Sequence, residues 1–178
     1  AAVNRDYAVG ATDRVLALSE LSFDLSVYDL FGLLIAGGAI VFPDQRRTKD
    51  APYWAELVER HRVTIWNTVP QLASLLADDY ATRGVHGTTL RLFLLSGDKI
   101  ALTLPGHLNQ ACPQAAVISL GGATEGSIWS IWFPIAAVAP DWRGIPYGYA
   151  MPNQLMLVLD DDDAPCAVRE AFEHRWLP

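Results

Sequence analysis

Short apolar runs that end in turns alternate with stretches of helical spacing along this sequence and leave few architectures open. A strand that is apolar on both faces must be covered on both, and crossover helices do this. The pattern therefore predicts an α/β fold of layered β-α-β units with a mainly parallel sheet. Residues 14–19, 39–42, 63–66, 92–95, 116–120 and 155–159 read as strands, and 127–133 as an extended segment. Val27, Leu30, Phe31 and Leu34 fall at helical spacing, with Asp24 and Ser26 as candidate caps and Gly37-Gly38 as the stop. A helix behind Pro52 gathers Tyr53, Trp54, Leu57 and Val58 on one stripe, and a helix opening at Pro70 turns Leu72, Leu75 and Leu76 inward. The stretch 81–89 reads as a polar loop. Ligands of open sheets of this kind bind beyond the carboxyl ends of the strands.

Composition narrows the partners. With 178 residues, 51% of them hydrophobic, the chain can bury a sizeable core and does not have the character of a disordered segment. Its net charge of -7 repels phosphate backbones, and the only compact basic spot is Arg46-Arg47 followed by Lys49, which argues against nucleic acid. Binding a polyanion such as ATP would then rest on backbone amides and a metal ion. No apolar run approaches the roughly 18 to 20 residues that cross a bilayer, and no basic-then-apolar leader opens the sequence, so the reading is cytoplasmic with no membrane partner. Cys112 and Cys166 are too few for a disulfide framework, and His61, His86, His107 and His174 have no companions at metal or triad spacing. The run from Asp160 to Asp163 lacks the Gly and distal Glu of a calcium loop and reads as a solvated turn.

Three turn junctions carry the chemistry: Ser22-Phe23-Asp24-Leu25-Ser26, Leu94-Leu95-Ser96-Gly97-Asp98 and Ser119-Leu120-Gly121-Gly122-Ala123-Thr124-Glu125. Alone, each is ordinary turn chemistry, with Asp24 a helix cap and Thr124-Glu125 a cap with an acidic first turn. Together they make a coherent nucleotide site. Gly97, Gly121 and Gly122 can let backbone approach a ligand, a hydroxyl at Thr124 can bond a phosphate, and a carboxylate at Glu125 can hold a Mg²⁺ ion.

In order and spacing the junctions resemble consecutive motifs of the adenylate-forming (AMP-binding) superfamily, and in particular of non-ribosomal peptide synthetase adenylation domains. Phe23-Asp24-Leu25-Ser26 matches the Phe-Asp-x-Ser motif, Gly121-Gly122-Ala123-Thr124-Glu125 stands where aromatic-Gly-Pro-Thr-Glu is usual, and Ile145-Pro-Tyr-Gly148 with 153–160 resembles the segment closing the large domain's core. The resemblance implies that Asp24 binds the α-ammonium of an amino acid. It places the rest of the pocket on Leu25, Tyr28, Asn67, Leu94, Ser96, Leu120, Ile128 and Trp129, a lining similar to that of cysteine-activating members. Small polar Ser96 and Asn67 among apolar walls suit a short side chain with a thiol. For Leu25, Leu94, Leu120 and Ile128 taken singly, plain core packing is the competing reading.

Two positions depart from the family pattern. Gly121 stands where an aromatic commonly stacks on adenine, and Ala123 replaces the proline. By the resemblance the intact enzyme uses ATP and Mg²⁺ to form an aminoacyl-AMP, which then loads the phosphopantetheine thiol of a peptidyl carrier domain beside a condensation or cyclization domain of the same assembly line. Residues 1–160 are expected to be a partial adenylation core, and 161–178 a divergent, amphipathic helical tail or truncated junction. The family's phosphate loop and catalytic lysine have no match here, so no catalytic residue is assigned and little activity is expected of these residues alone. An acyl- or aryl-acid-activating ligase and a silent binding remnant are the alternatives.

Overall fold

The computed structural model describes residues 2–165; of the tail expected over 161–178, residues 166–178 lie outside them. Seven strands form one sheet in the order β2-β1-β3-β4-β5-β6-β7. These are β1 (Arg14–Leu16), β2 (Ala39–Val41), β3 (Ile65–Thr68), β4 (Leu92–Leu95), β5 (Ala116–Gly121), β6 (Ile131–Pro134) and β7 (Tyr149–Ala150). The first five run parallel, and β6 and β7 add antiparallel at one side. The mainly parallel α/β architecture expected from the alternation is the one observed.

Side chains alternate across a strand, so each strand feeds two cores. Leu16, Trp66, Phe93, Leu95 and Val117 face helices α4 (Ala51–His61), α5 (Pro70–Arg83) and α6 (Leu104–Ala111), which contribute Trp54, Leu76, Tyr80 and Leu108. Val15, Ile65, Leu92, Leu94, Ile118 and Leu120 face the opposite way, toward Val3 of α1 (Ala2–Asp6), the segment 25–33, and Trp129. Ordinary helix punctuation frames the first core. The Asp50 carboxylate accepts from the Tyr53 amide at the start of α4, and Arg62 ends that helix in the left-handed region, as Gly84 ends α5.

One ion pair ties three strand entries together. Asp13, just before β1, is buried and accepts from Arg91 Nε at 2.8 Å and Nη2 at 2.7 Å, from Thr64 Oγ1 at 2.7 Å and from the Gly10 amide at 2.9 Å. Burial pushes this carboxyl up, but the Arg91, Gly10 and Thr64 bonds outweigh it and hold the group below its usual range. A depressed folded-state value means stability that is present above the unfolded carboxylate range and lost as pH falls below about 4. Asp13→Asn is expected to flatten this acid limb while lowering stability at pH 7. Denaturation midpoints measured against pH check both.

The structure corrects several local expectations. Residues 25–35 are α2 (Leu25–Val27), a π-helical turn (Tyr28–Gly32) and α3 (Leu33–Ile35), with Leu25, Tyr28, Asp29 and Leu33 buried. Val27, Phe31 and Leu34, on the stripe that marked the helix, are exposed. In α5, Leu75 points outward and Ala73, Ala77 and Tyr80 take the inner face. The helix also runs to Arg83, shortening the expected loop. Strand β3 lies two residues later than expected, and 127–130 is a turn before β6. Residues 155–158 pair with no strand among the described residues. Leu159 makes a single bridge to Pro165, and an apolar run without a ladder partner stays irregular.

Candidate functional site: three turn junctions that meet

The three junctions, far apart in sequence, touch one another. Asp24 stands at the N-cap position of α2, yet its backbone is already helical and its side chain makes no capping bond. Its Oδ2 instead accepts the Thr124 hydroxyl at 2.5 Å across 100 residues. The cap reading of Asp24 is thereby replaced by a contact between the first and third junctions. The second joins the third through Trp129, whose Nε1–H donates to Ser96 Oγ at 3.0 Å. Phe23 joins the first to the second: a Cβ built on Gly97 would meet the edge of its ring at 3.4 Å and the Val69 methyl at 3.2 Å.

Strand register explains why the expected pocket residues assemble. Asn67 and Leu94 are paired neighbours on β3 and β4, Leu94 pairs with Ile118, and Leu120 lies two residues further along β5 on the same face. Leu25 and Tyr28 cover them from above, and the Tyr28 and Trp129 rings pack with centroids 5.0 Å apart. Leu25, Tyr28, Asn67, Leu94, Ser96, Leu120 and Trp129 are buried, and Ile128 is half-buried. The Tyr28 hydroxyl turns away to donate to Asn4 Oδ1 at 2.9 Å, and Asn4 donates to the Gly32 carbonyl at 2.7 Å. Burial first, and then the neighbouring Asp29, pushes the Tyr28 phenol up, so it acts only as a neutral donor.

Two residues at this site were not anticipated: Asn4 and Asp29. Asp29 is fully buried on the π turn, one turn beyond Leu25. Asn67 Nδ2 donates to Asp29 Oδ1 at 2.8 Å and to the Leu25 carbonyl at 3.2 Å. Desolvation pushes the Asp29 carboxyl up to about 8, against the Asn67 bond that lowers it. A raised folded-state value means a contribution that is fully present below the unfolded value near 4 and is lost as pH rises through about 8. Asp29→Asn is therefore expected to gain stability over wild type as pH rises from about 4 to about 8, read from melting temperatures across that window.

The glycines divide by role. Gly97 adopts a φ of +83°, a left-handed backbone that its position requires. At Gly122 the space is filled by the protein itself: an added Cβ would sit 2.7 Å from the Ile128 carbonyl oxygen and the Ser130 nitrogen. That glycine admits its own turn, in addition to any ligand. Gly122→Ala is expected to displace 128–130 and destabilise by about 1–3 kcal/mol, with a blue-shifted or weakened tryptophan signal as the spectroscopic check. Gly121 ends β5, where a Cβ would approach the Ile131 side chain at 3.0 Å.

Thr124 and Glu125 lie exposed on a 3-10 turn, Thr124–Gly126. Among the described residues no group of three or more His, Cys, Asp or Glu side chains could hold a metal ion. A Mg²⁺ that arrives with nucleotide phosphates needs one or two protein carboxylates and no all-protein cage. No helix among the described residues is long and apolar enough to cross a membrane.

The chain is similar to known proteins over most of its length. The family model described as AMP-binding enzyme matches residues 1–171. The anguibactin system regulator of Vibrio anguillarum is 48% identical over 167 residues, covering 93% of this chain and 16% of its own length. Pyochelin synthetase PchF of Pseudomonas aeruginosa is 46% identical over 165 residues, covering 92% of this chain and 9% of its own. Among solved structures, the non-ribosomal peptide synthetase FmoA3 superposes with a TM-score of 0.87 at 46% identity, covering 92% of this chain and 18% of that one. FmoA3 has been solved with AMPPNP and with α-methyl-L-serine-AMP. The adenylation domain AlmE of Vibrio cholerae, solved with glycyl-adenosine-5'-phosphate, gives a TM-score of 0.78 at 26% identity. The chain spans less than a fifth of the length of the anguibactin system regulator, PchF and FmoA3, and 30% of that of AlmE. With the family model running over nearly the whole sequence and the fold shared with a solved non-ribosomal peptide synthetase, the chain belongs to the AMP-binding enzyme family, in the adenylate-forming ligase branch that includes the adenylation domains of non-ribosomal peptide synthetases.

Proposed function

We propose that the protein containing these residues activates an amino acid, L-cysteine, as an aminoacyl-AMP for transfer to a carrier-domain thiol. The carrying observation is Asp24: a half-buried carboxylate that caps no helix and instead touches the Thr124 turn. A half-buried carboxylate among apolar walls favours a cationic partner, and an α-ammonium is one. Thr124 takes one lone pair of Oδ2, and a carboxylate accepts several bonds. The ammonium would place the substrate's carboxylate over the Gly121–Glu125 turn.

In the first step a substrate carboxylate oxygen attacks the α-phosphorus of ATP as the bond to pyrophosphate breaks. In the second the phosphopantetheine thiol attacks the acyl carbon and AMP leaves. ATP enters this reading through the family and through the nucleotide-bound relatives. Glu125 would hold the Mg²⁺ that accompanies the nucleotide, and Thr124 would exchange its bond to Asp24 for a phosphate oxygen. Alignment and charge neutralisation supply the catalysis. The carrier domain, a neighbouring condensation or cyclization domain, and a cytoplasmic setting follow from the same reading.

Buried Asn67 and Ser96, small polar side chains among apolar neighbours, support a short substrate side chain. FmoA3's α-methyl-L-serine-AMP form makes a serine-like substrate the second reading. Asp24 argues against an acyl- or aryl-acid ligase, whose substrate brings no ammonium. Hydroxylamine trapping tests this. With the full-length protein, ATP and hydroxylamine, cysteinyl hydroxamate is the expected product. Hydroxamates formed from aryl or fatty acids, with none from amino acids, would overturn the proposal.

A further inference from the structure

Asn67 spends both amide hydrogens inside the protein, on the Leu25 carbonyl and on Asp29 Oδ1. The Leu25 carbonyl only accepts, so it fixes which end of the amide carries the NH₂. Two atoms of this linked pair are then left buried with no hydrogen-bond partner: Asn67 Oδ1 and Asp29 Oδ2. Buried polar atoms are rarely left so, because each costs the desolvation it does not recover. Both side chains are fully buried, Asn67 on β3 beside Leu94 and Asp29 on the π turn that follows Leu25.

We infer that Asp29 and Asn67 read the substrate's side chain, Asp29 Oδ2 presenting an O–H donor and Asn67 Oδ1 an acceptor that together grip a β-thiol or β-hydroxyl group. Such a group is itself one donor and one acceptor, and so satisfies both orphaned atoms at once. The raised carboxyl of Asp29 keeps it protonated near neutral pH, as a buried acid used as a donor must be. A methyl group in the same place satisfies neither atom. The inference rests on the amino-acid-activating reading above and deepens it: Asp24 recognises the ammonium common to all amino acids, while Asp29 and Asn67 distinguish between them.

The test is ATP–pyrophosphate exchange by the full-length protein with cysteine, serine and 2-aminobutyrate, the last an apolar isostere of cysteine. Wild type is expected to favour cysteine or serine over 2-aminobutyrate by about tenfold or more in kcat/KM. The two polar arms distinguish a thiol from a hydroxyl reader. Asp29→Leu is expected to erase that preference by raising KM for the polar substrates while exchange with 2-aminobutyrate persists, which also shows that the variant is folded. Asp29→Asn, which keeps an N–H donor in place of the O–H, is expected to retain it. A preference unchanged in Asp29→Leu, or lost in Asp29→Asn with 2-aminobutyrate exchange intact, overturns the inference and leaves amino acid activation standing. A wild type that favours 2-aminobutyrate overturns it equally. No exchange with any amino acid removes the underlying reading and this inference with it.

Discussion

Asp24→Ala in the full-length protein is expected to lower amino-acid-dependent pyrophosphate exchange by about a thousandfold. Removing one partner of a partly buried charge pair costs about 3–5 kcal/mol, because the other charge is left without compensation in a poorly solvated place. Here the stranded charge would be the substrate's α-ammonium, so the loss appears mainly in KM and in kcat/KM. The fold is expected to tolerate the change, since Asp24 caps nothing and its one side-chain bond runs to an exposed threonine. Asp24→Asn sharpens the result. It preserves a bond to the Thr124 hydroxyl and removes only the charge, so a similar loss assigns the effect to charge. Near-wild-type exchange in either variant would mean that the ammonium binds elsewhere.

Trp129→Ala is expected to have the second largest effect, on stability and selectivity together. The indole is buried against Tyr28, holds Ser96 through its N–H, and is the link between the second and third junctions. Truncating a buried tryptophan costs about 3–5 kcal/mol in lost burial and residual cavity. The cavity would also lengthen the pocket, so the variant should activate larger apolar amino acids than wild type does. Denaturation midpoints give the first quantity and exchange with leucine or phenylalanine the second. A stable variant with an unchanged substrate range would show that Trp129 is not a pocket wall.

What the sequence revealed and what it concealed have separate physical causes. Strands β4 and β5 were legible because most of their residues are covered on both faces, leaving mainly apolar runs that lead into glycine-containing turns. Period-two alternation then carries Asn67, Leu94 and Leu120 onto one face without further information. The segment 25–35 was misleading because it is apolar all round. Exposed Val27, Phe31 and Leu34 keep helical spacing as well as buried Leu25, Tyr28 and Leu33 do, and the π turn shifts the phase between them. Helix α6 escaped notice because Pro105 and Gly106 read as breakers, although a proline in the first turn is well tolerated and Gly106 faces open space. Asp29 was concealed by type: an aspartate inside an apolar stretch reads as solvated until its neighbours are known. The contact between Asp24 and Thr124 spans 100 residues and only the fold could display it.

The most direct test of the central claim is ATP–pyrophosphate exchange by the wild-type, full-length protein across a panel of amino acids. Exchange that depends on an amino acid and is strongest with cysteine is the predicted result. A preference for a different amino acid would keep the reaction and contradict the pocket assignment, while no exchange with any would contradict the proposed activity itself.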